Sequence, residues 1–411
     1  MPIGLFWFAI PAWMAAHGAG ASDVGYVLAL TALPWTLKLV NGFIMDRYTF
    51  LAMGRRRIWI IGAQMIMIAL LVGCALIRPD VTDILLLGMA GFIVNMATTF
   101  QDVGVDGLAV DIMKEEERAR ASGMMFGGQA IGIAASTAFS GFAIARLGPS
   151  AAYLLSASFV GVITLYLLLL RERSGERLVP WSAGDVHPRN RAIHVGQWWP
   201  ILKSTVVSMI RPVSLFWLPV LVVRGFTPLI GTGAVGWSEV HVTSVVGSAQ
   251  LVAGVLGLTL GGWLGDTFGA KRSTIAMFAA LMSVSAAMWF SVANWGEPAY
   301  FTAFVYAWYG LDVLITVVAL PISMRLCDPR VAATQFTLYM ATANFGTSVG
   351  AWVLGFSRES SGLPLMFVVV FALHLVGLML MVLVRFPRRT VVEEQVAALL
   401  AEGEGPEPAI N

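Results

Sequence analysis

Two stretches decide the fold: Gly42-Phe43-Ile44-Met45-Asp46-Arg47 followed by Gly54-Arg55-Arg56-Arg57, and Gly262-Trp263-Leu264-Gly265-Asp266 followed by Gly269-Ala270-Lys271-Arg272. Each closes an apolar run of helical length and repeats the order glycine, aspartate, glycine, basic cluster. The two aspartates stand 220 residues apart. Gly42 and Gly262 let a neighbouring helix come close. Asp46 and Asp266 sit where each can meet the positive N-terminus of a helix from elsewhere in the chain. A single basic turn after a glycine is ordinary punctuation between membrane spans, but two copies in register read as an internal repeat. The segments Glu117-Arg118-Ala119-Arg120-Ala121-Ser122-Gly123 and Asp328-Pro329-Arg330-Val331-Ala332-Ala333-Thr334 correspond in the same way.

Composition sets the solvent. Of 411 residues, 58% are hydrophobic and 12% charged, against about 25% charged in ordinary soluble domains. So few charges cannot coat two or three soluble domains, so the chain is an integral membrane protein. A net charge of +2 gives no reason to expect nucleic acid as a partner. Two cysteines exclude a disulfide framework, and five scattered histidines offer no metal-ligand spacing. No metal or other cofactor is expected, and no His/Asp or His/Glu constellation suggests an enzyme.

A bilayer core takes about 20 apolar residues per helix. On that rule the chain reads as twelve helices, near 2–17, 22–45, 58–77, 83–111, 121–145, 150–170, 200–223, 240–264, 273–293, 300–324, 332–356 and 364–384. The longest polar interruption follows the sixth. The expected organisation is therefore an all-α membrane protein of two pseudo-symmetric six-helix bundles, residues 1–170 and 200–386. A cytoplasmic linker at 171–199 joins them, and a cytoplasmic tail occupies 387–411. Nineteen of the 26 basic residues fall in alternate loops and the tail, against four in the opposite loops. That asymmetry places the linker and C-terminus in the cytoplasm. The first span is short, and its start is expected to lie upstream of Met1.

Ionisable groups within spans are functional candidates because each is costly there. Asp102 and Asp106 share one face of span four. Two carboxylates so placed suit a group that takes and releases a proton during transport. Lys38 is the expected partner of Asp106, at similar depth, which leaves Asp102 to protonate; a purely structural ion pair is the alternative. Asp312 lies mid-span in the tenth helix, the repeat equivalent of the fourth. Arg211, beside Pro212, is a candidate for a substrate carboxylate, or else the partner of Asp312. Gln101, Gln129, Asn344 and Trp13 complete the candidate binding residues. The gating set is Gly42, Asp46, Arg47, Gly54, Arg55, Gly262, Asp266, Gly269, Lys271 and Arg272.

These motifs resemble the major facilitator superfamily, whose loop signature is G-x-x-x-D-[RK]-x-G-x-[RK]-[RK]. Within it, the chain is similar to the AmpG-type muropeptide permeases and related acetyl-CoA transporters. The resemblance rests on Pro34-Trp35-x-x-Lys38, Met45-Asp46-Arg47-Tyr48-Thr49, Gln101-Asp102 with Asp106 and Asp111, and Leu326-Cys327-Asp328 with Ala333-Thr334-Gln335-Phe336. It departs from the family at Leu108 and Ala109, where an aromatic and a lysine are usual. The resemblance implies alternating access in a bacterial inner membrane, with proton-coupled import of anhydro-muropeptide-like sugar-peptides. The partners it implies are the lipid bilayer, protons and a small-molecule substrate. The alternatives are transport of a peptide, a drug or an acyl-CoA-like anion, or a non-transporting membrane sensor on the same fold. A sensor would tolerate neutral residues at Asp102, Asp106 and Asp312.

Overall fold

The computed structural model describes residues 2–209, 235–237, 239–341 and 363–383, and every extended element among them is a helix. The helices are α1 (Pro2–Ala16), α2 (Ala21–Arg47), α3 (Arg57–Ile77), α4 (Ile84–Ile112), α5 (Arg118–Leu147) and α6 (Pro149–Leu168). After the linker come α7 (Trp198–Met209), α8 (239–268), α9 (Ala270–Phe290), α10 (Pro298–Leu326), α11 (332–341) and α12 (Leu363–Leu383). Among the described residues, nine helices are long and apolar enough to cross a membrane, and α1 is a shorter apolar helix. Residues 210–223 of the seventh expected span and 342–356 of the eleventh lie outside the described residues, as does the tail. Arg211 and Asn344 lie there too.

The apolar sequence is spent in two directions. Leu76, Phe142, Leu165 and Leu169 point outward and are mostly exposed, as side chains in a bilayer should be. Leu5, Phe6, Ile10, Met14, Leu71 and Tyr153 bury themselves among α1 to α6. Phe278, Phe301, Trp308, Phe336 and Phe367 do the same among the later helices. Within each group the close pairs are regular: α2 with α4, α3 with α6, α8 with α10, and α9 with α12. Small residues make some of these approaches possible, as where Gly91 of α4 receives Thr31 of α2.

Among the described residues, two helices carry a π-helical turn, Leu5–Ala9 in α1 and Gly257–Gly261 in α8. Such turns concentrate at functional positions, because an inserted residue re-aims the side chains around it. The linker is structured. It holds a short helix, Pro188–Ile193, with Asn190 and Ile193 fully buried.

Candidate functional site

The two repeated motifs lie at the end of the molecule that carries the basic loops. Gly54 and Gly269, the corresponding second glycines, have φ of 96° and 80°. Only glycine takes such values without strain, so both loops turn back sharply into the next helix. The first loop thereby brings Arg55 and Arg56 beneath the ends of α2 and α4. Arg56 contacts Asp46 at 2.7 Å and donates to Asp111 at 2.8 Å, while Arg55 lies 3.5 Å from each carboxylate. All four side chains are essentially inaccessible. Burial works against the charge on Arg56, but Asp111 and Asp46 outweigh it and raise its pKa. Burial dominates at Arg55 and lowers its pKa.

This cluster reaches across to the later helices. The second carboxylate oxygen of Asp46 accepts from the backbone N–H of Thr334 at 2.8 Å and from its hydroxyl at 2.7 Å. Asp46 therefore caps the N-terminal turn of α11, where unpaired N–H groups and the helix dipole favour an anion. Arg55 donates to the carbonyls of Pro329 and Arg330, each at 2.8 Å. Gly42 makes the approach possible: a Cβ there would stand 2.8 Å from the Thr334 Cα.

The second motif packs on α5. A Cβ at Gly262 would meet the Arg120 backbone at 2.9 Å, and one at Gly123 would meet the Gly257 carbonyl at 2.9 Å. Asp266 pairs with Arg120 at 3.4 Å, but that arginine is 79% exposed. Two seams thus close the same end of the molecule. One is charged and dry, the other packed on glycines and wet.

Of the expected gating residues, Gly42, Asp46, Arg55, Gly262 and Asp266 lie in these seams. Arg47 does not: its guanidinium stacks on Tyr48. Lys271 reaches the Val382 carbonyl at 3.4 Å, and Arg272 is exposed. Arg56, Asp111 and Thr334 complete the charged seam but were not expected as gating residues. Glu172 is a further addition, from the linker. Its carboxylate accepts from the backbone N–H groups of Arg55, Arg56 and Arg57 at 2.9, 2.9 and 3.0 Å. Arg57 in turn holds the carbonyls of Leu167, Leu168, Arg177 and Leu178. Nearby, burial and the charge of Glu172 push the Glu176 carboxyl up to about 7.

Deeper in the membrane, α2 and α4 bring Lys38, Asp102 and Asp106 together. Lys38 is paired with Asp102 and lies 3.4 Å from Asp106. The expected Lys38–Asp106 contact is present, and Lys38 also pairs with Asp102, because the flexible lysine stem lets one ammonium sit between two carboxylates a helical turn apart. Asp102 remains the more open, with 23% of its side chain exposed against 11% for Asp106. Gln101 is half-buried beside it, and Gln129 is exposed on α5. Trp13 lies elsewhere, against His17 near the end of α1. Asp312 is buried on α10, with Thr316 bonded to its backbone carbonyl.

The geometry can be set against known proteins. The family model of the Major Facilitator Superfamily matches residues 1–239. The anhydromuropeptide permease of Escherichia coli (strain K12) is 22% identical over 395 residues, covering 94% of this chain and 77% of that protein. Its counterpart in Escherichia coli O157:H7 aligns to the same extent. Among solved structures, an outward-facing bacterial homologue of the iron transporter ferroportin superposes with a TM-score of 0.63 at 12% identity, over 93% of this chain and 95% of that one. The Major Facilitator Superfamily transporter FucP, in its outward conformation, gives 0.64 at 11% identity, over 92% and 96%.

Proposed function

This chain belongs to the Major Facilitator Superfamily, and from that premise we propose a proton-coupled importer of anhydro-muropeptide-like sugar-peptides in a bacterial inner membrane. The protein is a multi-pass membrane transporter rather than an enzyme. In the proposed mechanism, bundles 1–170 and 200–386 rock about a central site, joined by the cytoplasmic linker 171–199. The tail, 387–411, is cytoplasmic as well.

The observation that carries the coupling is the triad of Lys38, Asp102 and Asp106 between the spans α2 and α4. One cation and two carboxylates leave one negative charge unbalanced, and a single proton neutralises the group. The partly exposed Asp102 is the carboxylate that meets that proton. An exposed carboxylate within a span faces a water-filled cavity rather than lipid. Proton arrival frees Lys38 to settle on Asp106, which loosens the tie between α2 and α4. Asp312 is the counterpart on α10. Gln101, Gln129 and Trp13, with Arg211 and Asn344, are the proposed substrate contacts.

The charged seam is the cytoplasmic gate, closed in this structure, and release to the cytoplasm requires Asp46 to let go of Thr334. Similarity to the permease supports the choice of sugar-peptide. The test is uptake of labelled anhydro-muropeptide into proteoliposomes, with and without an imposed inward pH gradient. Gradient-stimulated uptake that disappears in Asp102→Asn is the expected result. Failure of folded wild-type protein to take up the compound under either condition refutes the assignment.

A further inference from the structure

Asn95 lies on α4, two helical turns before Asp102, and is completely buried. Its amide oxygen accepts two indole N–H groups: Trp35 of α2 at 3.1 Å and Trp7 of α1 at 3.3 Å. Its amide nitrogen donates to the Gly91 carbonyl at 2.9 Å, which fixes which way the amide faces. One side chain thus orients two aromatic rings from two different helices. Trp7 lies within the π-helical turn Leu5–Ala9.

Both indoles are half-buried, and their only polar atoms are already satisfied inside the protein. What they present outward is ring-carbon surface. Trp35 also borders the coupling triad, since the Lys38 ammonium stands 5.8 Å from its ring centre. In the mechanism proposed above, the part-exposed Asp102 faces the water-filled route between the bundles, and Trp35, one contact away through Lys38, borders the same route.

We propose that Trp7 and Trp35, held by Asn95, form an aromatic subsite that takes the C–H face of a pyranose ring. Lys38 and Asp102 at its edge supply a donor and an acceptor for ring hydroxyl groups. This chemistry suits a sugar better than the other groups that stack on indole. The attractive face of Trp35 already has a cation over it, so a second cation gains little there. A pyranose has an apolar face for the rings and a polar rim for the charges. The inference rests on the sugar-peptide reading and deepens it: the saccharide, rather than the peptide, enters the amino-terminal helices. Asn95 is then a positioning residue and the tryptophans are the contacts.

The experiment measures binding to full-length protein in nanodiscs with three probes: the anhydro-muropeptide, its disaccharide without peptide, and the stem peptide alone. Losing one stacked ring weakens binding by up to about tenfold. Trp35→Ala and Trp7→Ala should each weaken the first two probes by that factor and leave the stem peptide unchanged. Trp35→Phe keeps a flat ring and removes the N–H donor, so it should fall between wild type and Trp35→Ala, and it guards against a folding defect. Equal loss for stem peptide and disaccharide overturns the subsite, as does unchanged disaccharide affinity in the alanine variants. If wild-type protein binds neither saccharide probe, the sugar-peptide reading itself fails and the subsite falls with it.

Discussion

Replacing Asp46 with asparagine should loosen the charged seam by a predictable amount. The substitution keeps the shape of the side chain and one oxygen that can accept from the Thr334 N–H. It removes the charge that strengthens the bonds to Thr334 at 2.8 and 2.7 Å. Hydrogen bonds to charged groups contribute about 1.5–3 kcal/mol each, neutral ones about 0.5–1.5. The pairing of Asp46 with Arg56 lies entirely on the amino-terminal helices, so most of its loss applies to the open and closed gate alike. The difference that favours opening is therefore about 1–3 kcal/mol, or roughly a 5- to 150-fold gain in the open population.

The chain supplies its own reporter. Cys327 is 5% exposed, follows the last residue of α10, and belongs to the buried cluster that also holds Ala109 and Val110 of α4 and Ala332 at the start of α11. Burial pushes its thiol well above the ordinary value, so both access and ionisation wait on opening. In a Cys74→Ser background, alkylation by a membrane-impermeant maleimide from the cytoplasmic side should accelerate by that factor in Asp46→Asn. Thr334→Val should give a smaller acceleration, and the double variant should give less than the product of the two. Unchanged alkylation in folded Asp46→Asn protein, or strict multiplication in the double variant, would refute the capping argument.

Three other outcomes follow from the same geometry. Gly42→Val places a branched side chain where even a Cβ stands 2.8 Å from the Thr334 backbone; Cys327 should become reactive without any charge being lost. Asp102→Asn should abolish gradient-driven uptake while sparing exchange of substrate across the membrane, read by counterflow in proteoliposomes. Glu176, whose carboxyl sits at about 7 rather than 4.5, binds its proton more tightly when the linker is docked. Docking should therefore weaken as pH rises from about 4.5 to about 7 and level off above that. Hydrogen exchange of residues 173–190 should track this, and Glu176→Gln should flatten the profile.

The spans were legible because lipid demands long apolar runs and basic loops punctuate them. Even the ends agree closely, as with 58–77 read and Arg57–Ile77 found. Asp46 was legible because its repeat marked it. Its partners were harder to read. Asp111 and Arg56 look like ordinary charges at a span's edge, and only the sharp turn at Gly54 buries them together. Glu172 sits in a polar linker whose pattern gives no sign that it will cap the helix beginning at Arg57. Asn95 carries no mark in the sequence, since nothing local says that two distant indoles converge on it. That Lys38 reaches Asp102 as well as Asp106 was hidden for a similar reason: depth along a helix is countable from sequence, but the reach of a lysine stem between two carboxylates is not.

Glu172, Arg173, Arg177 and Asn190 fasten the linker to the amino-terminal helices or to one another, and this shortens the tether between the earlier and the later helices. Although 29 residues separate α6 from α7, only the stretch between Ile193 and Trp198 is left to pay out. Five steps of extended chain span at most about 17 Å. The head of α7 is on a leash of that length for as long as the staples hold. In the proposed mechanism the inward swing is therefore limited by cordage as well as by the charged seam, and any wider opening must first unpick Glu172 from the turn it caps.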